Sequence, residues 1–63
     1  MAYTITLDGL GLHYYGGGVY GWGAYSSTTG APGKPVLFEM RSEAEDWMQA
    51  RHVFCAGALI DWA

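Results

Sequence analysis

The run S-E-A-E-D-W-M-Q-A-R at residues 42–51 constrains this chain most, because it is the one stretch that reads as a single type of secondary structure. Ser42 offers a hydroxyl that can accept from an orphan backbone N–H in a first helical turn. Glu45 follows three residues later and completes the S-x-x-E pattern of a capping box. Glu43, Glu45 and Asp46 place negative charge at the positive end of the helix dipole, and Arg51 places a cation near the other end. Ala44, Trp47, Met48 and Arg51 recur at helical spacing and share one face, while Glu43, Asp46, Gln49 and Ala50 look outward. A helix this short does not hold alone in water, so the Trp47 and Met48 face needs something flat to pack on.

The rest of the chain supplies strands. Residues 3–7 alternate Tyr-Thr-Ile-Thr-Leu, the period of a half-buried strand. Asp8-Gly9 is a preferred two-residue hairpin turn. It sets Leu7 opposite Leu10, Ile5 opposite Leu12 and Tyr3 opposite Tyr14, all on one face. Gly11, His13 and Tyr15 then line the other face. Gly16, Gly17 and Gly18 break the second strand, and residues 19–25 predict a third, with Gly21 and Gly23 marking a bend or a close approach of another backbone. Residues 26–35 form a polar loop rich in Ser, Thr, Gly and Pro. Residues 36–40 predict a strand with Val36, Phe38 and Met40 on one face and Leu37 and Glu39 on the other. The apolar run at 52–62 is too uniform for periodicity to settle, but Gly57 and its β-branched and aromatic content favour a strand over 58–62. The fold class predicted is α+β: one domain over 1–63, with a small antiparallel sheet of three to four strands, an N-terminal hairpin and one helix packed on one face.

Composition narrows the function classes. A chain of 63 residues has a marginal core, and 51% hydrophobic residues are enough to fold it. A single cysteine excludes an internal disulfide framework and suits a reducing cytosol. No apolar run is long enough to cross a bilayer, and no basic segment opens the chain as a secretion signal would. The net charge is −3, with Lys34, Arg41 and Arg51 the only cations, which argues against direct binding of nucleic acid or an anionic membrane.

The chemical motifs are weak. Gly16, Gly18 and Gly21 match G-x-G-x-x-G, but Trp22-Gly23 follows where a dinucleotide fingerprint needs a helix. Gly33-Lys34-Pro35 lacks the Ser or Thr of a P-loop. His52 and Cys55, even joined by His13, fall short of the ligand set of a structural zinc site. Cys55 reads as a small buried hydrophobe rather than a nucleophile, since no activator is visible. The expectation is no enzyme, no metal and no cofactor.

Two features suggest binding instead. From Tyr14 to Tyr25 the chain is dense in tyrosine, glycine and tryptophan, and Ser26, Ser27, Thr28 and Thr29 follow. Tyr20, Trp22 and Tyr25 are the candidate anchors, because rigid amphipathic rings give contact area at low entropic cost. Four of the six acids, Glu39, Glu43, Glu45 and Asp46, fall between residues 39 and 46. Such a patch steers towards basic partners; simple charging of a helix start is the plainer account.

The segments Val36-Leu37-Phe38 and Arg41-Ser42-Glu43-Ala44-Glu45-Asp46-Trp47 resemble the strand, cap and E-A-E-x-W helix of tiny phage- and prophage-encoded proteins, and among these the chain is most similar to anti-CRISPR proteins in size and acidity. The resemblance implies a non-enzymatic inhibitor acting in the cytoplasm of a bacterial host, whose partner is a bacterial defence protein with a basic, nucleic-acid-binding surface. Two alternatives stay open: a small structural or self-assembling phage protein, and a carbohydrate-binding module that stacks sugars on Tyr20, Trp22 and Tyr25. A domain this small also gains buried surface as a homodimer.

Overall fold

The computed structural model describes residues 2–63. Its elements in chain order are β1 (Tyr3–Leu7), β2 (Leu10–Gly16), β3 (Val19–Trp22), β4 (Lys34–Pro35), α1 (Arg41–Ala50) and β5 (Leu59–Trp62). The strands form one sheet in the order β3-β2-β1-β5, with β4 beside β2, and every pairing is antiparallel. The fold is α+β, a small antiparallel sheet with a single helix.

The hairpin forms at Asp8-Gly9. Their φ angles are 52° and 80°, the positive values that both central residues of a type I′ turn require. Leu7 pairs with Leu10 and Thr6 with Gly11, the register set by that turn. Ile5 and Leu12 follow on the inner face as the two large side chains fully buried in the core.

Beyond Thr6 and Gly11 the pairing departs from the alternation, and Tyr3 does not face Tyr14. The segment ahead of the helix enters between β1 and β2. Lys34 and Pro35 pair with Tyr14 and His13, and the Val36 N–H donates to the Leu12 carbonyl at 3.0 Å. Two residues later the chain has crossed to β1, where Tyr3 and Phe38 exchange hydrogen bonds of 2.8 and 2.9 Å. The Thr4 hydroxyl donates to the Val36 carbonyl at 3.3 Å and ties the crossing down. The strand expected over 36–40 is therefore replaced by the short β4 and an isolated bridge at Phe38. A segment that changes neighbour midway cannot make a continuous ladder. Val36 and Phe38 still pack on the core, while Met40 is exposed rather than inward.

β3 ends earlier than expected, at Trp22. Gly23 still donates to the Gly11 carbonyl, but its φ of 102° turns the chain out of the sheet. Ala24 falls in the following loop, and Tyr25 makes only a bridge to Pro32.

The helix begins at Arg41, and its N-cap is Met40, not Ser42. The Tyr3–Phe38 bridge fixes the chain just upstream and leaves Met40 extended, at φ −122° and ψ 142°. The acid three residues after this cap is Glu43, and its carboxylate accepts the Met40 N–H at 3.1 Å. Glu43 thus takes the part expected of Glu45, and Ser42 becomes an exposed first-turn residue. Ala44 is buried against the sheet and Trp47 and Met48 are half-buried on the same face. Residues 51–57 leave the helix in a series of turns. Gly57, at φ 81°, redirects the chain into β5, which starts one residue later than expected, at Leu59. β5 pairs with β1 from Tyr3↔Trp62 to Thr6↔Leu59. Among the described residues no helix is long and apolar enough to cross a membrane.

Candidate functional site

The two regions marked by the sequence lie on different parts of the molecule. Glu39, Glu43, Glu45 and Asp46 are all exposed around the start of α1. Two of them have local work. Glu43 holds the Met40 N–H, and Glu45 pairs with the Arg41 guanidinium at 3.5 Å. That pair is solvent-exposed and contributes little to stability. Glu39 and Asp46 make no side-chain hydrogen bond or ion pair among the described residues.

The three candidate aromatic anchors are not equivalent. β3 turns Tyr20 and Trp22 towards the helix, and both rings pack there. Tyr20 lies 4.9 Å from Tyr14 and 5.2 Å from Trp47, centroid to centroid. Trp22 stacks on Phe54 at 5.2 Å with the ring planes 16° apart. These rings extend a core whose buried members are otherwise mostly small. Tyr25, by contrast, is 71% exposed on the loop. Phe54 and Arg51 complete the cluster, with the Arg51 guanidinium over both Trp47 and Tyr20. Phe54 was not legible as an anchor, because the turns at 51–57 have no periodicity to place it.

On the opposite face, Tyr15 is held by glycine. A Cβ on Gly21 would lie 2.7 Å from the Tyr15 ring, and one on Gly33 would strike both that ring and His13. The Tyr15 hydroxyl donates to the Gly23 carbonyl. Gly21 is thus the close approach that glycine within a strand signals. Tyr15 fastens the loop beyond Gly23 to the sheet, a role with no sequence signal of its own. Ser26, which is buried, caps a turn in that loop by accepting the N–H groups of Thr28 and Thr29.

His13 donates from Nδ1 to the Gly11 carbonyl at 2.9 Å. His52 is exposed while Cys55 is buried, so the H-x2-C spacing does not give a shared open site. Burial pushes the Cys55 thiol up, and the nearby Arg51 charge only partly opposes this. A raised thiol pKa leaves little thiolate, the form that attacks or ligates. Among the described residues no three of His, Cys, Asp and Glu gather as a metal site would require.

Several concavities border these groups, three of them around α1, β3 and the turns that follow each. One of about 460 Å³ is formed by residues 50–54, and one of about 230 Å³ lies beside Gly18, Tyr20 and Trp47, with Arg51 and Phe54 shared by both. The third, about 180 Å³, lies between β3 and residues 25–28. The arrangement offers an acidic surface at one place and an aromatic and hydroxyl-bearing surface at another. In comparisons with protein families, curated proteins and solved structures, nothing matches this chain.

Proposed function

We propose that this chain is a non-enzymatic, protein-binding inhibitor of phage type, which sets its acidic helix start against the basic nucleic-acid-binding site of a bacterial defence complex. The observation that carries this reading is the free and exposed state of Glu39 and Asp46 beside Glu43 and Glu45. Arg41 is already paired with Glu45, and Arg51 lies over Trp47 at the other end of the helix. A surface of this kind accelerates encounter with a basic partner and suppresses binding to acidic ones. The carbohydrate reading is less supported, because Tyr20 and Trp22 are stacked on the protein's own rings and Tyr25 alone is free to form a platform.

The test is affinity capture from bacterial lysate, with the doubly reversed variant Glu39→Lys, Asp46→Lys beside the wild type. Both side chains are exposed and make no hydrogen bond or ion pair among the described residues, so the fold should survive the change. The expected result is a partner held by the wild type, released by added salt or by nucleic acid, and absent from the variant. A folded variant that captures the same partner with the same salt dependence would falsify this reading.

A further inference from the structure

We propose that the free edge of β3 receives an extended segment of a partner protein, added to the sheet as one more strand. The direction of the backbone groups on β3 follows from its ladder. In an antiparallel pair, alternate residues bond towards alternate sides. The Gly23 N–H donates to the Gly11 carbonyl on β2, while the neighbouring Leu12 carbonyl turns to the other edge of β2 and accepts from Val36. With Leu12 opposite Trp22, His13 opposite Gly21 and Tyr14 opposite Tyr20, Gly21 and Gly23 bond inward. Tyr20 and Trp22 therefore direct their N–H and C=O groups outward, away from β2. β3 is the last strand on that side of the sheet. Among the described residues no other segment bonds to these outward groups.

A concavity adjoins this strand. It is the 180 Å³ concavity lined by β3, Tyr15 and residues 25–28, with the exposed Tyr25 ring at its border. Ser27 and Thr28 also line it. Two donors and two acceptors of backbone spacing fit another backbone, and side-chain pockets along the edge then select its residues. The rings of Tyr20 and Trp22 are committed inside the molecule; it is their main chain that is on offer.

The other edge of the sheet is guarded at one of its outward donors. Tyr3 bonds to Phe38 on the inner side of β1, so Thr4 and Thr6 face Asp61 and Leu59, and Ile60 and Trp62 point outward from β5. There the Trp62 N–H is already taken by the Asp61 carboxylate, at 2.8 Å. A charge on an edge strand is a recognised guard against strand pairing. One edge carries this guard, and the other carries a concavity and an exposed ring. The net charge of −3 favours a segment with basic flanks.

The probe is the peptide acetyl-Lys-Thr-Val-Thr-Val-Thr-Lys-amide, titrated into the ¹⁵N-labelled chain and followed by amide shifts and hydrogen exchange. Shifts centred on the Tyr20 and Trp22 amides are expected, with exchange there slowed roughly tenfold or more at saturation. A copy of the peptide N-methylated at alternate residues should bind at least about tenfold more weakly, since its donors are lost. Tyr25→Ala should weaken binding several-fold with the Leu7–Leu10 contacts intact. Glu39→Lys, Asp46→Lys should leave the shifted amides the same. Unchanged Tyr20 and Trp22 amides, or shifts confined to Ile60 and Trp62, would overturn the proposal. Equal binding by the methylated peptide would overturn it too, in favour of side-chain contact. Protection of Tyr20 and Trp22 that rises with protein concentration alone would replace the partner segment with a second copy of this chain.

Discussion

The Arg51 guanidinium lies 4.3 Å from the ring centroid of Trp47, one helical turn earlier. It is 5.8 Å from that of Tyr20, so one cation covers rings from both the helix and the sheet. Arg51→Met keeps much of the apolar stem but removes the charge, and should cost about 0.5–1 kcal/mol. Trp47→Ala removes the ring that touches Tyr20, Phe38 and Phe54 and should cost about 3 kcal/mol. A domain of this size holds about 3–9 kcal/mol in total, so the second change brings it near unfolding. Urea denaturation followed by tryptophan fluorescence and circular dichroism measures both; a larger loss for Arg51→Met than for Trp47→Ala would reverse this ranking.

Helix capping gives a sharper test, because sequence and structure assign it differently. Glu43→Ala removes the acceptor of the Met40 N–H and should cost about 1 kcal/mol. Ser42→Ala should stay within about 0.5 kcal/mol of the wild type, as an exposed substitution does. Met40→Asp, which supplies a capping side chain, should raise the melting temperature. Thermal melts of the three variants decide between Met40 and Ser42 as the cap.

Gly21→Ala should destabilise strongly, since its Cβ meets the Tyr15 ring. In a Tyr15→Ala background the same change should be nearly neutral, because the obstructing ring is gone. The coupling from such a double-mutant cycle should be about 1–3 kcal/mol. Additive effects would mean that the ring and the glycine do not touch in solution.

Cys55 makes stability depend on alkaline pH. Its thiol pKa is raised in the folded chain by burial. The folded state therefore keeps its proton where the unfolded state gives it up. The contribution is fully present below the ordinary thiol value of 9.0 and is lost as pH rises from there through the folded value. Cys55→Ser should flatten that decline at a modest cost in stability near neutral pH. Denaturant midpoints of the two proteins between neutral pH and the onset of alkaline unfolding would show it; parallel declines would exclude the thiol as the cause.

The guard on β5 predicts association when it is removed. Asp61→Ala frees the Trp62 N–H on a strand whose Leu59 and Trp62 are 69% and 58% exposed. Sedimentation should show concentration-dependent dimers or larger species for the variant, beyond whatever the wild type forms. An unchanged mass distribution would mean that the carboxylate does not protect the edge.

What the sequence disclosed was local, and what it concealed depended on distant segments. The turn at Asp8-Gly9 and its register were legible because two residues determine the turn and the alternation agrees with it. The helix was legible from the spacing of Ala44, Trp47 and Met48. Its first residue was not, since Met40 becomes the cap only where the Tyr3–Phe38 bridge fixes the chain. The same bridge accounts for the missing strand at 36–40 and for Tyr3 lying apart from Tyr14. Of the candidate site residues, the exposure of Glu43 and Asp46 followed from helix periodicity, which has no bearing on Glu39 ahead of the helix. The inward packing of Tyr20 and Trp22 needed Phe54, whose position no pattern reveals.

The pairing of β1 with β5 sets an order of events. Tyr3–Leu7 leaves the ribosome more than fifty residues ahead of Leu59–Trp62, yet each completes the other's side of the sheet. Until the later segment has cleared the exit tunnel, β1 can pair only with β2 and with the segment at Val36–Phe38, and its outer backbone groups stay with water. The Ala63 N–H then reaches the Ala2 carbonyl at 3.0 Å and ends the seam. Bringing those segments together closes a loop of nearly the whole described length before any contact repays it. Folding of this domain is thus a step that follows translation of Leu59–Trp62 rather than accompanying it, and a nascent chain arrested before Leu59 should remain open to proteolysis.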